Sequence, residues 1–213
     1  MKHRVVHVRG TPTSGKTVLS ELINSHVEEY HKELVPVYVV WETRSTRAAS
    51  SWQDFLCNYS QGRVSYSELY ARSDILWIID EAQLSYTEPD FWIRYVKRQS
   101  SPGKDVGPRL VLFSSFGSPS ASVFVVPGSS PVTLEPEQRM SLTIQPHLPH
   151  DLALCFSLEE ILDLAARIIG KRSFTIQPSV LEYLLELTNG HPGLCQGLLL
   201  SLLDQDVCTP TGP

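Results

Sequence analysis

Gly10-Thr11-Pro12-Thr13-Ser14-Gly15-Lys16-Thr17 is the stretch that decides the fold. It fits the pattern G-x-x-x-x-G-K-[S/T] throughout, and each fixed position has a chemical reason. Glycine lets the backbone curl into a concave turn whose N–H groups converge on an anion. A helix that begins where the turn ends adds the positive end of its dipole. The Lys16 ammonium offsets β- and γ-phosphate charge, and the Thr17 hydroxyl is a ligand for Mg²⁺. Chance produces such a match in roughly one chain of this size in a hundred at ordinary residue frequencies. Context lowers that figure. Residues 4–9 read as a strand, and from Lys16 the apolar positions Val18, Leu19, Leu22, Ile23, Val27 and Tyr30 recur at helical spacing to about His31.

Beyond this loop, residues 37–41 form a continuous apolar run of strand type, with Pro36 at its entrance. Residues 43–72 are polar and serine-rich, and predict one or two short helices. The run Ile75-Leu76-Trp77-Ile78-Ile79 is apolar on both faces, the signature of a central strand in a parallel sheet. Residues 89–98 read as a helix opened by proline, and residues 109–113 as a further buried strand. Residues 117–138 are rich in Pro, Gly and Ser, a surface excursion with a small hairpin expected around 123–126. A strand at 141–144 is expected to close the sheet.

The central strand ends in Asp80-Glu81-Ala82-Gln83. A carboxylate at the C-terminal edge of a strand beside a phosphate loop can hold the Mg²⁺ shell through water, and this role falls to Asp80. The adjacent Glu81 projects differently and can polarise the water that attacks a γ-phosphate. Ser114 and Ser115, at the end of the next strand, offer hydroxyls to the γ-phosphate or that water. Lys16, Glu81 and Ser114 are thus the candidate catalytic residues, and Thr17 and Asp80 the candidate metal ligands.

After Pro149 the character turns helical. Ser157 with Glu160 and Ser179 with Glu182 form two capping-box patterns, and Gly170 and Gly190 stand where helices end. Strands alternating with helices, then helices alone, predict a three-layer α/β parallel-sheet core at 1–147, a helical subdomain at 148–207 and a short tail at 208–213.

The chain has 213 residues, 42% of them hydrophobic, enough for a packed core and too many for a disordered chain. Its net charge of −5 argues against a surface devoted to nucleic acid or membrane. That charge is unevenly placed. Residues 1–147 carry 15 acidic and 15 basic side chains, whereas residues 148–213 carry eight and three. A polyanion would be repelled by the helical part, so nucleic acid, left open as a partner, would have to approach the core. No apolar run reaches the ~20 residues of a spanning helix, and the N-terminus shows no secretory h-region. Four scattered cysteines without a Cys-x-x-Cys pair favour a reducing, intracellular compartment, cytoplasmic or nuclear.

The phosphate loop (Walker A), the strand ending Asp80-Glu81-Ala82-Gln83 (Walker B), Ser114 and Asn189-Gly190-His191-Pro192-Gly193 together resemble the AAA+/STAND class of P-loop ATPases over roughly residues 3–204. More narrowly, the chain resembles the ATPase regions of fungal Crinkler-type proteins. The resemblance implies ATP or ADP as ligand, Mg²⁺ as cofactor, and an acid-ended strand beside the neighbour of the phosphate-loop strand. It also implies a helical lid over the nucleotide. Ser114 matches the sensor position, more often Thr or Asn, and Gly190-His191-Pro192 matches the lid turn that packs on base and sugar, which adds His191 and Pro192 to the nucleotide set. Arg94, Arg98, Arg109 and Arg139 are all candidates for an arginine finger, and many relatives take theirs in trans, so self-association or a protein partner is an open expectation. Recognition or effector domains typical of the class are absent or belong to a longer parent.

Two functions fit these motifs: an Mg²⁺-dependent ATPase, and a nucleotide-loaded switch or interaction module with negligible turnover. Other readings are weaker. Asp80-Glu81-Ala82-Gln83 also resembles motif II of superfamily 2 helicases, which need two RecA-like domains where this chain has room for one. No Asn-Lys-x-Asp guanine reader is present. His147 and His150 are flanked by Pro146 and Pro149, which forbid a regular helix and favour a loop over a metal pair. The basic cluster Arg94, Lys97, Arg98, Lys104 and Arg109 reads first as a solvated face.

Overall fold

Apolar runs become strands wherever both of their faces can be covered. The computed structural model describes residues 3–41, 49–101, 106–115, 132, 134–142, 154–170 and 176–205. In chain order the strands are β1 (Val5–Arg9), β2 (Val35–Val40), β3 (Ile75–Asp80), β4 (Arg109–Ser114) and β5 (Arg139–Ser141). The helices are α1 (Lys16–Tyr30), α2 (Trp52–Tyr59), α3 (Lys97–Ser100), α4 (Leu158–Ile169), α5 (Pro178–Thr188) and α6 (Pro192–Gln205). The hairpin expected at 123–126, Lys104, His147, His150 and the tail at 208–213 lie outside the described residues.

The chain divides into two compact units: residues 1–11 with 16–141, and residues 12–15 with 142–213. In the first, the five strands form one sheet in the order β2-β3-β4-β1-β5, parallel at every pairing. This is the three-layer α/β architecture expected, with the acid-ended β3 beside β4, the neighbour of β1. All six residues of β3 are buried, as its unbroken apolar run demands.

Strand alternation sends Val5, Val37, Val39, Ile75, Trp77, Ile79, Leu110 and Leu112 to one face, where they meet Trp52, Phe55, Phe91, Trp92 and Tyr95. α1 covers the face carrying Leu76, Ile78 and Asp80. The helix opened by Pro89 contains a π-helical segment, Phe91–Val96, before α3. This segment points Phe91, Trp92, Tyr95 and Val96 all inward.

β5 starts two residues earlier than its sequence suggests. Its register is set by pairing, His7 with Arg139 and Arg9 with Ser141, and not by an apolar run, which it lacks.

In the second unit, α4, α5 and α6 enclose Ile161, Ala165, Leu181, Leu184, Cys195 and Leu199. Ser157 caps α4 in the expected box with Glu160. The second expected box does not form. Pro178 takes the first helical position of α5 and Gln177 the N-cap, which places Ser179 inside the helix. Gly170 and Gly190 both follow helix ends with positive φ, as anticipated.

Candidate functional site

Parallel strands bring their C-terminal ends to one edge of a sheet, where α/β proteins hold ligands. Here β1, β3 and β4 end there in sequence with Gly10, Glu81 and Ser115. The β1–β4 ladder runs on into the loop, since the Gly10 N–H donates to the Ser114 carbonyl at 3.2 Å.

The Thr17 hydroxyl, in the first turn of α1, donates to Asp80 Oδ2 at 2.7 Å. The other carboxylate oxygen accepts the Glu81 backbone N–H at 2.9 Å. Asp80 is therefore buried and held from two sides, at 2% exposure. Lys16 is also buried. Its ammonium donates to the carbonyls of Gly10 at 3.1 Å and Thr11 at 2.7 Å. Burial pushes its pKa below the usual lysine range, while the charges of Glu81 and Asp80 pull it back up. The two candidate metal ligands thus meet, and Lys16 lies within the field of both acids.

Glu81 has left-handed backbone, φ 55°, which a non-glycine residue adopts at a cost of about 1 kcal/mol. Its carboxylate accepts a hydrogen bond from the side-chain amide of Gln83. The amide oxygen of Gln83 in turn accepts the Ser115 backbone N–H at 3.0 Å.

Ser114 takes another direction. It shares the face of Leu110 and Leu112, opposite Asp80, and its Oγ lies 2.6 Å from His7 Nε2. Tyr86 reaches the same hydroxyl. Burial, with Arg9 and Arg139 nearby, lowers the His7 pKa to about 4, so the ring is neutral at ordinary pH. Sequence reasoning gave His7 and Gln83 no role. The first carried a signal: a histidine at an inward position, in phase with Val5, is a polar group that must find a partner.

The remaining loop residues, Pro12–Gly15, belong to the second unit. Pro12 and Thr13 are exposed, whereas the Ser14 hydroxyl is buried without a hydrogen-bond partner. Gly15 has φ 90° and supplies the turn that admits α1. Gly193 lies hard against Thr13: a methyl placed on it would sit 2.5 Å from the Thr13 Cβ. His191 and Pro192 immediately precede this contact. The His191 ring also caps α6, its Nδ1 accepting the Leu194 N–H at 3.3 Å.

Three of the four candidate finger arginines are engaged locally. Arg94 pairs with Asp90 at 3.2 Å, Arg98 lies over the Tyr70 ring at 5.3 Å, and Arg109 donates to the Ser73 carbonyl at 2.6 Å. Arg139 is exposed on β5. Among the described residues no group of three or more His, Cys, Asp or Glu forms a metal cage. A hydroxyl beside one buried carboxylate suits Mg²⁺, which takes hard oxygen ligands and keeps phosphate and water oxygens in its shell. No helix among the described residues is long and apolar enough to cross a membrane.

No protein-family model and no curated protein matches the chain. Solved structures do match. Domain III of the replication initiation protein DnaA from Thermotoga maritima is 16% identical with a TM-score of 0.49, covering 100% of this chain and 80% of that one. The RuvB Holliday junction branch migration motor of the same organism is 16% identical with a TM-score of 0.44, covering 94% of this chain and 54% of that one. A point mutant of that RuvB is 14% identical with a TM-score of 0.47. The chain spans about half the length of the RuvB chains it matches.

Proposed function

We propose that this chain is an Mg²⁺-dependent ATP-binding and ATP-hydrolysing domain of the AAA+/STAND type. The observation that carries the reading is the Thr17–Asp80 hydrogen bond. It joins the end of the phosphate loop to the acidic end of β3 across 63 residues of sequence. The orphaned Ser14 hydroxyl within the loop supports an anion there, because a buried donor without a partner is costly.

In this reading the loop N–H groups and Lys16 bind the phosphates. Thr17 and Asp80 hold Mg²⁺, which when bound offsets charge on the β- and γ-phosphate oxygens. Glu81 accepts a proton from the attacking water as its oxygen bonds to the γ-phosphorus. The bond from that phosphorus to the β–γ bridging oxygen breaks, giving ADP and phosphate. Such chemistry asks little beyond positioning and charge stabilisation. The Ser114 hydroxyl, expected to sense the γ-phosphate, is instead buried against His7 on the face opposite Asp80, so at the end of β4 that role is assigned to Ser115. His191 and Pro192 are assigned to the base and sugar, supported by the contact of Gly193 with Thr13.

Titration of ATP and ADP into purified protein, with and without Mg²⁺, tests the binding half of the proposal. Lys16→Ala should abolish binding. Phosphate release tests the other half. ADP retained through purification, without measurable phosphate release, would instead favour the nucleotide-loaded switch.

A further inference from the structure

Gln83 stands between the ends of β3 and β4, and its bonding fixes which way round it is. The Ser115 backbone N–H can only donate, so the atom facing it at 3.0 Å is the amide oxygen. The amide nitrogen then faces the Glu81 carboxylate, which can only accept while ionised. Both ends of one buried side chain are satisfied, each by a different element. The short 3₁₀ helix Ala82–Thr87, which carries Gln83 after β3, is itself anchored. Ser85 donates to the Ala82 carbonyl at 2.6 Å, and the Trp92 indole donates to Ser85 Oγ at 2.8 Å.

These bonds close a circuit around the phosphate-loop edge. Thr17 bonds to Asp80, and Asp80 accepts from the Glu81 N–H. Glu81 accepts from Gln83, and Gln83 accepts from Ser115. The Ser114 carbonyl returns the circuit to Gly10.

We infer that Gln83 is a positioning residue for Glu81, tying the water-activating carboxylate to the end of β4. This rests on the hydrolytic reading above. Its physical content is that the left-handed backbone of Glu81 sets where its side chain starts, and the Gln83 amide sets where it ends. Movement at residues 114–115 therefore reorients Glu81, so engagement of a γ-phosphate at β4 and alignment of the attacking water become one event. Ser115 contributes through its backbone, which makes the coupling independent of its side chain.

Two variants separate the arms of the bridge. Gln83→Glu has the same shape and keeps an acceptor for the Ser115 N–H, but offers no donor to Glu81. Gln83→Leu removes both. Circular dichroism and thermal unfolding check that each folds, and ADP titration checks that each binds. In steady-state phosphate release both variants should lose about 10- to 100-fold in kcat, the cost of a misplaced catalytic group, with KM and ADP affinity nearly unchanged. Gln83→Glu should be as slow as Gln83→Leu, since the arm to Glu81 is the one that matters. Folded variants with wild-type kcat, in a protein that Glu81→Gln inactivates, would overturn the inference and leave the hydrolytic reading standing. Equal turnover by wild type and Glu81→Gln would instead remove that reading, and the role of Gln83 with it.

Discussion

The hydroxyl of Thr17 lies 2.7 Å from Oδ2 of Asp80, joining the first turn of α1 to the C-terminal end of β3. Neither residue reaches the other by local structure. The parallel sheet places β3 two strands from β1, and α1 crosses the face onto which Asp80 projects. A hydroxyl and a carboxylate held this way are a pair of hard oxygens at the mouth of a phosphate loop.

Asp80→Asn keeps the shape of the side chain and removes its charge. The variant should fold and retain some ATP binding, but the benefit of Mg²⁺ to that binding should fall by about 10- to 100-fold, as when outer metal-site partners are lost. Titrating ATP at increasing Mg²⁺ reads this directly. Unchanged Mg²⁺ dependence would take Asp80 out of the proposed metal site.

Gly193 has no room for a side chain beside Thr13. Gly193→Ala should cost about 1–3 kcal/mol, the usual penalty of overpacking, measured by chemical unfolding. Adding Thr13→Gly should restore part of it, because Thr13 has φ 61° and glycine adopts that backbone without strain. Simple additivity of the two single-variant effects would mean that the two residues do not touch in solution.

His7 makes stability depend on pH in a defined direction. Its folded pKa, about 4, lies below the ordinary 6.5. Between those values the unfolded chain binds a proton that the folded chain does not, so stability is full above pH 6.5 and declines as pH falls toward 4. The loss approaches roughly 3 kcal/mol at its limit. Urea midpoints at pH 7 and pH 4.5 should show it, and His7→Leu should flatten the difference while lowering stability at pH 7 by removing one of the two partners of the buried Ser114 hydroxyl. An unchanged pH slope in His7→Leu would assign the acid sensitivity to other groups.

The legible parts of this protein are those where one stretch of sequence carries its own signal. Strands β2 to β4 carry apolar runs, β1 is a valine-rich stretch leading straight into the loop, and the phosphate loop is a fixed spacing of glycine, lysine and threonine. β5 is not legible because Arg139-Met140-Ser141 has no apolar pattern, and only its pairing with β1 makes it a strand. At α5 two local signals compete. Pro178 wins the helix start over Ser179 because its fixed φ and missing N–H suit the first turn. The acids of the site could be named from the motif, but their hydrogen-bond partners could not. Gln83 was visible as a letter of that motif, while its bond to Ser115 spans 32 residues and exists only once β3 and β4 lie side by side. The approach of Gly193 to Thr13 is longer in range still, and no local pattern announces it.

If Glu81 is the proposed base, removing its charge must stop hydrolysis while leaving the nucleotide held by the loop. The direct measurement is phosphate release by wild type and Glu81→Gln, at ATP and Mg²⁺ concentrations that saturate binding in both. Wild type should turn over, and Glu81→Gln should bind ATP with similar affinity yet release phosphate at least about 100-fold more slowly, as expected when a catalytic base is removed. Equal rates in the two proteins would take Glu81 out of the chemistry.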